Sequence, residues 1–347
     1  MKEIELAPGK RARSAYSFDD IAIVPSRRTR DPENVSTNWQ IDAYKFALPM
    51  MAAPMDSVVS PETAIEIGRL GGLGVLNLEG LWTRYEDPRI PLGEIASMPD
   101  KNATKRMQEI YNEPIKPALI KARIAQIRDA GVDIFVIRGT TVSAEHVAAE
   151  DEALNLKKFI YELDVPVIVG GVATATAALH LMRAGAAGVL VGFGGGAAHT
   201  TRKVLGIEVP MASAVAEVAS ARREYLDESG GRYVHVIADG AVGRSGDIAK
   251  AIACGADAVM MGSPLAKATE APGLGWHWGS EAHHQVLPRG ERVNVGSVGT
   301  LEEILLGPSH TSDGSMNLFG ALRRAMATCG YSDVKEFQRV EVLIHRA

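Results

Sequence analysis

The chain has 347 residues, of which 46% are hydrophobic, 23% charged and 5% aromatic, and its formal net charge is −5. This composition is typical of a globular protein with a sizeable core, and the acidic balance argues against broad nucleic-acid binding. The two cysteines exclude a disulfide scaffold and a multi-cysteine zinc module. No apolar run approaches about 18 residues and the charged N-terminus resembles no secretory signal, so we expect a cytoplasmic protein that does not enter a membrane.

A short apolar run, a Gly/Ala-rich turn and an Ala-rich amphipathic stretch recur in this order from Leu48 to Ser263. Continuous rather than alternating apolar character is typical of strands buried on both faces, as in a parallel sheet. Seven such runs occur, at 48–53, 73–77, 133–138, 166–170, 188–193, 234–239 and 258–262. The stretches between them predict helices that end near glycine, at 61–70, 175–185, 212–228 and 247–255. Strands that alternate with such helices predict βαβ units.

Two folds fit this alternation, an open doubly wound sheet and a closed TIM (β/α)8 barrel. The barrel is favoured because the units show no signature of a second domain, and because glycine is dense at the C-terminal strand ends, where a barrel places its site. The third βα unit is not recognised, since the sequence between 77 and 133 looks helical without a clear strand. We predict one barrel domain over 1–347, with the barrel core at about 45–265, a flap-like loop at 266–300, and closing helices and a tail at 301–347.

The strongest local signal follows the last two predicted strands, at 237–248 (IADGAVGRSGDI) and 256–265 (ADAVMMGSPL). A glycine after a strand lets backbone N–H groups approach an anion closely, and barrels often hold a phosphate at this place. On this interpretation Gly240, Gly262 and Ser263 grip a phosphate, and Asp239 accepts hydrogen bonds from a ribose diol. The alternative is that the glycines only form tight turns and that Asp239 caps a helix.

A second signal is the glycine-rich loop GFGGGAAHTTR at 192–202. It fits the pattern G-x-G-x-x-A, but the residues that follow do not open an amphipathic helix, so a dinucleotide-binding fingerprint is disfavoured. His199 in this loop is either an acid/base group or a polar surface residue. No HxH, HExxH or paired-carboxylate spacing occurs, so we predict no divalent metal.

Taken together and in this order, the motifs resemble the IMP dehydrogenase/GMP reductase family over nearly the whole chain. In detail they look most like its actinobacterial IMP dehydrogenase-related members, which lack regulatory domains. The motifs are YSFDDIAIVPS (16–26), PMMAAPMDSVVS (49–60), GGLGVLN (71–77), GFGGGAAHTTR (192–202), IADGAVGRSGDIAKAIACGADAVMMGS (237–263) and GALRRAMATCG (320–330). The resemblance implies a TIM barrel and a homotetramer that binds a purine nucleotide (IMP, XMP or GMP), with NAD-dependent oxidation of IMP to XMP as the reaction.

The same resemblance implies roles for the residues that follow the strands. Asp239 would take the ribose hydroxyls of a purine 5′-monophosphate, and Met55 would touch its base. The phosphate would be held by Gly240, Gly262 and Ser263.

The glycine-rich loop also receives roles from the resemblance. Gly192 and Gly194 would shape the part that binds a monovalent cation, potassium, in the family. Thr201 and Arg202 match the tail of the family's catalytic loop, and His199 occupies the position of its cysteine nucleophile.

Two further positions depart from the family pattern. Ala197 stands where a serine contacts the phosphate, and Arg138 stands where an acidic residue contacts the nicotinamide ribose. Three functions therefore stay open. The first is an IMP dehydrogenase-type oxidoreductase, and the second is a non-catalytic nucleotide-binding or regulatory paralogue that pairs with a true dehydrogenase. The third is a GMP reductase-like or other phosphate-substrate barrel enzyme that uses His199 as an acid/base.

Overall fold

The computed structural model describes residues 3–128, 135–138, 145–146, 154–193, 195–284 and 292–345. Its strands, in chain order, are β1 (Glu3–Ala7), β2 (Lys10–Arg13), β3 (Ile21–Val24), β4 (Trp39–Ile41), β5 (Tyr44–Phe46), β6 (Met50–Ala52), β7 (Phe135–Arg138), β8 (Glu145–His146), β9 (Leu154–Asn155), β10 (Val167–Val172), β11 (Gly188–Val191), β12 (His235–Asp239), β13 (Ala258–Met261), β14 (Trp276–Trp278), β15 (Arg292–Asn294) and β16 (Glu341–Ile344).

The helices lie mainly between the strands of the large sheet and after them. They are α1 (Pro61–Arg69), α2 (Arg89–Ser97), α3 (Asp100–Tyr111), α4 (Pro117–Arg128), α5 (Leu156–Glu162), α6 (Ala175–Arg183), α7 (Met211–Glu228), α8 (Ser245–Ala253), α9 (Ser263–Ala266), α10 (Leu301–Leu305), α11 (Leu318–Thr328) and α12 (Val334–Phe337). The helices predicted at 61–70, 175–185, 212–228 and 247–255 are all present, as α1, α6, α7 and α8.

Six strands form one parallel sheet in the order β6–β13–β12–β11–β10–β7. The first of them in the chain, β6, pairs with the last, β13, and its other edge bridges Leu73 through Met51. The predicted strand at 73–77 is reduced to a single bridge at Leu73, but β6 still lies between this second unit and the last strand, as in a TIM (β/α)8 barrel, so the predicted fold is confirmed. Residues 74–128, all of which are described, contain helices and turns and no strand, so the third unit has no strand in this part of the chain.

Four of the six strands in this sheet are apolar along their whole length because both of their faces are covered. Every residue of β6, β10, β11 and β13 is buried, as the continuous apolar runs predict. The last residue of β12 is Asp239, and it is half-buried. Polar side chains therefore begin where the strands end, at the mouth of the barrel.

The first barrel helix begins as the sequence predicts, with Ser60 as N-cap and Pro61 in the first turn. The Ser60 hydroxyl accepts a hydrogen bond from the backbone N–H of Thr63 at 3.0 Å, and the Thr63 hydroxyl accepts one from the Ser60 N–H at 2.7 Å. Such a cap contributes about 1 kcal/mol because it satisfies helix-end donors that have no partner within the helix.

Within the segment predicted as a loop at 266–300, β14 pairs with β15 in an antiparallel ladder. Trp278 at the end of β14 is buried and belongs to a second apolar cluster, apart from the barrel core, with Leu81, Ile95 and Met107. We refer to residues 276–284, which include β14 and a helical turn at Ser280–Ala282, as the mouth segment. The second cluster joins this segment to the helices of the third unit.

The N-terminal end of the barrel is covered by the hairpin of β4 and β5. Trp39 stacks on Phe46 with ring centroids 5.1 Å apart, and its Nε1 donates a hydrogen bond to Nδ1 of His235 at 3.1 Å. Burial lowers the pKa of His235 to about 4, although the carboxylate of Asp257 acts in the opposite direction. At neutral pH the ring is therefore uncharged, so the lone pair of its Nδ1 accepts the hydrogen bond from the indole N–H of Trp39.

Asp257 is the polar centre of this end and is fully buried. Its carboxylate accepts hydrogen bonds from Arg222 at 2.6 Å, from the Tyr233 hydroxyl at 2.7 Å and from the Val236 backbone N–H at 2.8 Å, and Lys335 also contacts it. Burial alone would raise the pKa of Asp257, but the charges of Arg222 and Lys335 outweigh it and lower the pKa to about 2.

Replacing this carboxylate should destabilise the fold strongly. We expect Asp257→Asn to lower the free energy of unfolding by about 3–5 kcal/mol, because it leaves the buried guanidinium of Arg222 without its counter-charge. Denaturant titration measures the loss. Glu228→Gln, which breaks the exposed pair between Arg183 and Glu228, is the control and should cost at most about 1 kcal/mol. Equal losses in the two variants would contradict the prediction.

Candidate functional site

A cavity of about 540 Å³ opens at the carboxyl ends of the barrel strands. Its size falls within the range of small-molecule sites. The described residues that line it come from several strand ends and from the N-terminal loop. They are Ser17, Phe18, Asp19, Ala53, Met55, Gly195, Gly196, Ala197, His199, Asp239, Gly240, Ala241, Val242, Gly243, Arg244, Asp247, Met260, Gly262, Ser263, Lys267, His277 and Val295.

The glycine-rich loop is fixed against the end of β12 by backbone contacts. The backbone N–H of Ala241 donates a hydrogen bond to the carbonyl oxygen of Gly195 at 3.0 Å. Gly192 has φ = +152°, and a Cβ at this position would overlap the carbonyl oxygen of Asp239. The lack of side chains at the loop's start therefore lets it approach β12 closely enough to bring His199 and Asp239 into one cavity.

One side of the cavity is lined by backbone rather than by side chains. Gly240 has φ = +130°, in the region that favours glycine, and it follows Asp239 at the end of β12. Gly262 and Ser263 follow β13, and a Cβ at Gly262 would lie only 3.3 Å from Cε1 of His277. Lys267 adds a positive charge to the same lining. This side is suited to an anionic group.

The other side of the cavity carries a histidine paired with a carboxylate. Nδ1 of His199 lies 3.0 Å from Oε1 of Glu281, which the mouth segment supplies. Both side chains are largely buried, at 14% and 13% exposure. Around Gly279, Cε of Met55 and Cε1 of His199 lie within 3.5 Å and 3.7 Å of the place a Cβ would occupy, so these two side chains are neighbours.

His277 is a second histidine in the lining. Its Nδ1 lies 3.2 Å from the hydroxyl of Ser57, which also accepts a hydrogen bond from the backbone N–H of Trp278 at 3.2 Å. Burial lowers the pKa of His277 to about 4, and its electrostatic interaction with the ring of His199 acts in the same direction. His277 is therefore uncharged at neutral pH.

A buried chain of hydrogen bonds attaches the mouth segment to the barrel. The indole N–H of Trp278 donates to the Tyr111 hydroxyl at 2.9 Å, which in turn donates to Oδ2 of Asp56 at 2.7 Å. The backbone N–H of Leu81 donates to the same carboxylate oxygen at 3.1 Å. Burial raises the pKa of Asp56 to about 6, against the lowering effect of these hydrogen bonds.

Comparison with known proteins decides the family. A family model described as the IMP dehydrogenase / GMP reductase domain matches residues 15–290. The chain belongs to the IMP dehydrogenase/GMP reductase family. An uncharacterized oxidoreductase of Mycolicibacterium smegmatis is 51% identical over 98% of this chain and 99% of its own length. An inosine-5′-monophosphate dehydrogenase of Methanocaldococcus jannaschii is 27% identical over 94% of this chain and 92% of its own.

A solved structure supports the same assignment. The crystal structure of an IMP dehydrogenase/GMP reductase-like protein from Corynebacterium glutamicum is 48% identical to this chain and has a TM-score of 0.92. The match covers 99% of this chain and 98% of that one. The family resemblance stated from the sequence is therefore confirmed.

Of the ten residues to which the family resemblance gives a role, nine are described, and six of these nine line the cavity. The six are Met55, His199, Asp239, Gly240, Gly262 and Ser263. Gly194 lies outside the described residues, and Gly192 is accounted for by its contact with β12. Thr201 is buried, and Arg202 is exposed and pairs with Glu208 at 3.1 Å.

Sequence reasoning missed several residues of the cavity. Lys267 belongs to no motif, and His277 lies in the segment predicted as a flap-like loop. Residues 17–19 belong to the motif at 16–26, but no cavity role is predicted for them. Glu281, which reaches His199 from 82 positions along the chain, had no signal at all. Only a tertiary contact reveals such a pair.

Among the described residues, no three or more His, Cys, Asp or Glu side chains form a group that could hold a metal ion. In the same part of the chain, every helix is too short or too polar to cross a membrane.

The raised pKa of Asp56 predicts how stability depends on pH. The folded pKa of about 6 lies above the unfolded value of about 3.9, so this carboxyl contributes stability that is complete below pH 4 and lost as the pH rises through 6. Relative to Asp56→Asn, which does not ionise, the wild-type free energy of unfolding should fall by up to about 3 kcal/mol between pH 4 and pH 8.

Denaturant titrations across this pH range test the point, with Asp164→Asn as the control at an exposed carboxyl. The difference between wild type and the control should not change in this way. A flat or rising difference between wild type and Asp56→Asn would contradict the prediction.

Proposed function

We propose that the cavity binds a purine 5′-monophosphate. One observation carries this proposal. The carboxylate of Asp239 lines the same cavity as the backbone of Gly240, Gly262 and Ser263. A carboxylate accepts hydrogen bonds from both hydroxyls of a ribose, and backbone N–H groups with a nearby lysine suit the phosphate. The sugar and its phosphate would thus lie along the last two barrel strands, where barrels commonly bind phosphate.

The base would then extend toward Met55, His199 and His277. Met55 offers an apolar, polarizable contact for an aromatic ring, and the uncharged His277 offers a hydrogen-bonding group that needs no counter-charge. Membership of the IMP dehydrogenase/GMP reductase family makes IMP, XMP or GMP the proposed ligand.

As the reaction, we propose the nicotinamide-dependent oxidation of IMP to XMP. When bound, NAD would accept the hydride that leaves C2 of the purine, and a water molecule would supply the oxygen that C2 gains and release a proton. The end of β7, where the family pattern has an acidic contact to the nicotinamide ribose, carries Arg138, whose side chain lies outside the described part. Among the described lining residues, we therefore propose none as a contact to NAD. The chain's own contribution is to bind the nucleotide and to place His199 beside its base.

A potassium ion in the glycine-rich loop stays a prediction from the resemblance. Gly192 is explained by its approach to the carbonyl group of Asp239, and Gly194 lies outside the described residues. Thr201 and Arg202 lie on the loop that carries His199, and we propose that they position this loop.

One observation favours a second candidate, a non-catalytic nucleotide-binding paralogue. Neither Cys254 nor Cys329 lines the cavity, so no thiol of this chain is near the proposed base position. A thiolate is the stronger nucleophile, and its absence would leave nucleotide binding intact while removing covalent chemistry.

We also propose a homotetramer. Strand β16 pairs with β3 along one edge, and its Leu343 and Ile344 side chains are more than half exposed. Apolar side chains on an edge strand favour burial between subunits. Light scattering distinguishes a tetramer from the 37.0 kDa monomer.

Removing the carboxylate of Asp239 tests nucleotide binding. Asp239→Ala should weaken IMP binding by about 10²-fold, since each hydrogen bond to a charged group contributes about 1.5–3 kcal/mol. Isothermal titration calorimetry measures the change, and Asp164→Ala, at an exposed carboxyl far from the lining, should bind as wild type does. Wild-type protein that fails to bind IMP, XMP and GMP at micromolar concentration would refute the proposal.

The proposed reaction is tested separately by the absorbance of the reduced nicotinamide. Wild-type protein with IMP and NAD should turn over, and His199→Ala should lower kcat by about 10²-fold, the usual contribution of an acid/base group. His310→Ala, at an exposed histidine, is the control. Tight IMP binding without turnover, in this direction or with GMP and NADPH, would favour the non-catalytic paralogue.

A further inference from the structure

A second cavity, of about 280 Å³, lies at the N-terminal end of the barrel, beside the residues that precede β12 and β13. We refer to it as the basic cavity because four positively charged side chains line it. They are Arg222 and Arg223 of α7, Lys335 of α12, and Arg339 in the turn after α12. None of the described residues in its lining carries a carboxylate, and none of them also lines the cavity at the mouth.

Two of these four cations have a counter-charge and belong to the fold. Arg222 pairs with the carboxylate of Asp257 at 2.6 Å, and Lys335 pairs with the same carboxylate. Both cations also lie over the ring of Tyr233, with Cζ of Arg222 at 4.9 Å and Nζ of Lys335 at 3.7 Å from the ring centroid. The buried carboxylate and the aromatic ring together account for the position of this pair.

The other two cations, Arg223 and Arg339, have no such partner. Both residues are exposed, and neither side chain forms a hydrogen bond or an ion pair with a described residue. The acidic residues nearest to Arg223 on α7 are Glu224 and Asp227, and neither of them lines the basic cavity. Glu224 instead raises the pKa of Arg183, on the neighbouring helix α6.

The acidic residues next to Arg339 in the chain are engaged in capping α12. The carboxylate of Asp333 accepts a hydrogen bond from the backbone N–H of Glu336 at 2.8 Å. The carboxylate of Glu336 accepts one from the hydroxyl of Ser332 at 2.7 Å. These local contacts leave the guanidinium of Arg339 without a counter-charge from its own segment.

Positive charge is therefore in excess around the basic cavity. Four cations line it, and one carboxylate, that of Asp257, lies behind them, which leaves an excess of three charges. The C-terminal end of α8 also borders the cavity, through Cys254 and Gly255, but a helix end carries only about half a negative charge. Partial burial lowers the pKa of Lys335 against the effect of Asp257, and the charge of Arg222 acts in the same direction as burial.

We propose that the basic cavity binds the phosphate group of a small anion, with Arg223 and Arg339 as its main contacts. A guanidinium donates two parallel hydrogen bonds to a phosphate, and like charges held close together favour a counter-ion between them. The excess of three charges favours a phosphate or pyrophosphate group over a single carboxylate. The cavity is slightly smaller than the about 300–1,000 Å³ of sites for drug-sized ligands, so it suits the phosphate part alone.

Calorimetric titration with pyrophosphate at constant ionic strength tests the site. We expect wild-type protein to bind with a dissociation constant at or below about 1 mM. Arg223→Gln and Arg339→Gln should each weaken binding about tenfold, the value of one charge-assisted hydrogen bond. Arg128→Gln, at an exposed arginine on α4, is the matched control and should bind as wild type does.

The same titration with ADP distinguishes two sources of the phosphate group. If the two substitutions weaken ADP binding as they weaken pyrophosphate binding, the site takes the phosphates of a nucleotide. If pyrophosphate binds and ADP does not, the site takes free phosphates.

The thiol of Cys254 reports whether the anion lies in the basic cavity. This thiol belongs to the lining and is half-buried, whereas Cys329 is buried and lies outside it. Burial raises the pKa of Cys254 to about 12, so alkylation by the neutral reagent N-ethylmaleimide is slow enough to follow. Pyrophosphate at about nine-tenths occupancy should slow alkylation of Cys254 about tenfold, because the bound anion covers the thiol. Peptide mass spectrometry measures the two cysteines separately, and the rate at Cys329 should not change.

A purely structural role for the two unpartnered arginines makes a different prediction. If Arg223 and Arg339 only stabilised the fold, the double variant with glutamine at both positions would unfold at a lower temperature without any anion. We expect instead no such loss. Pyrophosphate should raise the unfolding temperature of wild type and not that of the double variant, because a ligand stabilises only the protein that binds it. A loss of stability without anion, together with unchanged pyrophosphate affinity, would overturn the proposal.

The lysine at the mouth provides the last control, because the cavity there also suits a phosphate. Lys267→Gln should leave pyrophosphate binding and the protection of Cys254 unchanged. If Lys267→Gln abolishes pyrophosphate binding and the arginine substitutions do not, the anion binds at the mouth and the proposal is overturned. Protection of Cys254 by potassium chloride alone at the same ionic strength would overturn it as well. None of these outcomes decides whether IMP binds, which the Asp239→Ala titration tests.

Discussion

The close approach of the glycine-rich loop to the end of β12 is the contact on which the rest of the candidate site depends. The hydrogen bond from Ala241 to Gly195, and the absence of a side chain at Gly192, set the distance between two neighbouring strand ends. A larger residue at position 192 would displace the loop and carry His199 away from Asp239. The chemistry of the mouth thus rests on backbone geometry, which only glycine permits here.

The barrel and the side of the cavity that carries Asp239 and the glycines were predictable because their signals are local. Each buried strand lies in a continuous apolar run; Asp239 and Gly262 end two of these runs, and Gly240 and Ser263 directly follow them. The carboxyl ends of parallel strands meet at one end of a barrel, so residues far apart in sequence fall together once the strands are recognised. No knowledge of side-chain packing is needed for that step.

The opposite side of the cavity was not predictable in the same way. Glu281 and His277 lie in a segment without hydrophobic periodicity, and its position is decided by burial of Trp278 against Leu81 and Met107. The helices of the third unit supply most of that second apolar cluster. A unit that sequence patterns describe poorly therefore places the mouth segment, through tertiary contacts that leave no trace in local sequence.

The buried Asp257 cluster lies at the end of the barrel opposite the cavity and shares no residue with its lining. The polar network around Asp257 and the polar groups of the cavity lining are therefore separate sets of residues, with apolar strands between them. Such a scaffold tolerates exchange of a reactive side chain at the mouth without loss of folding.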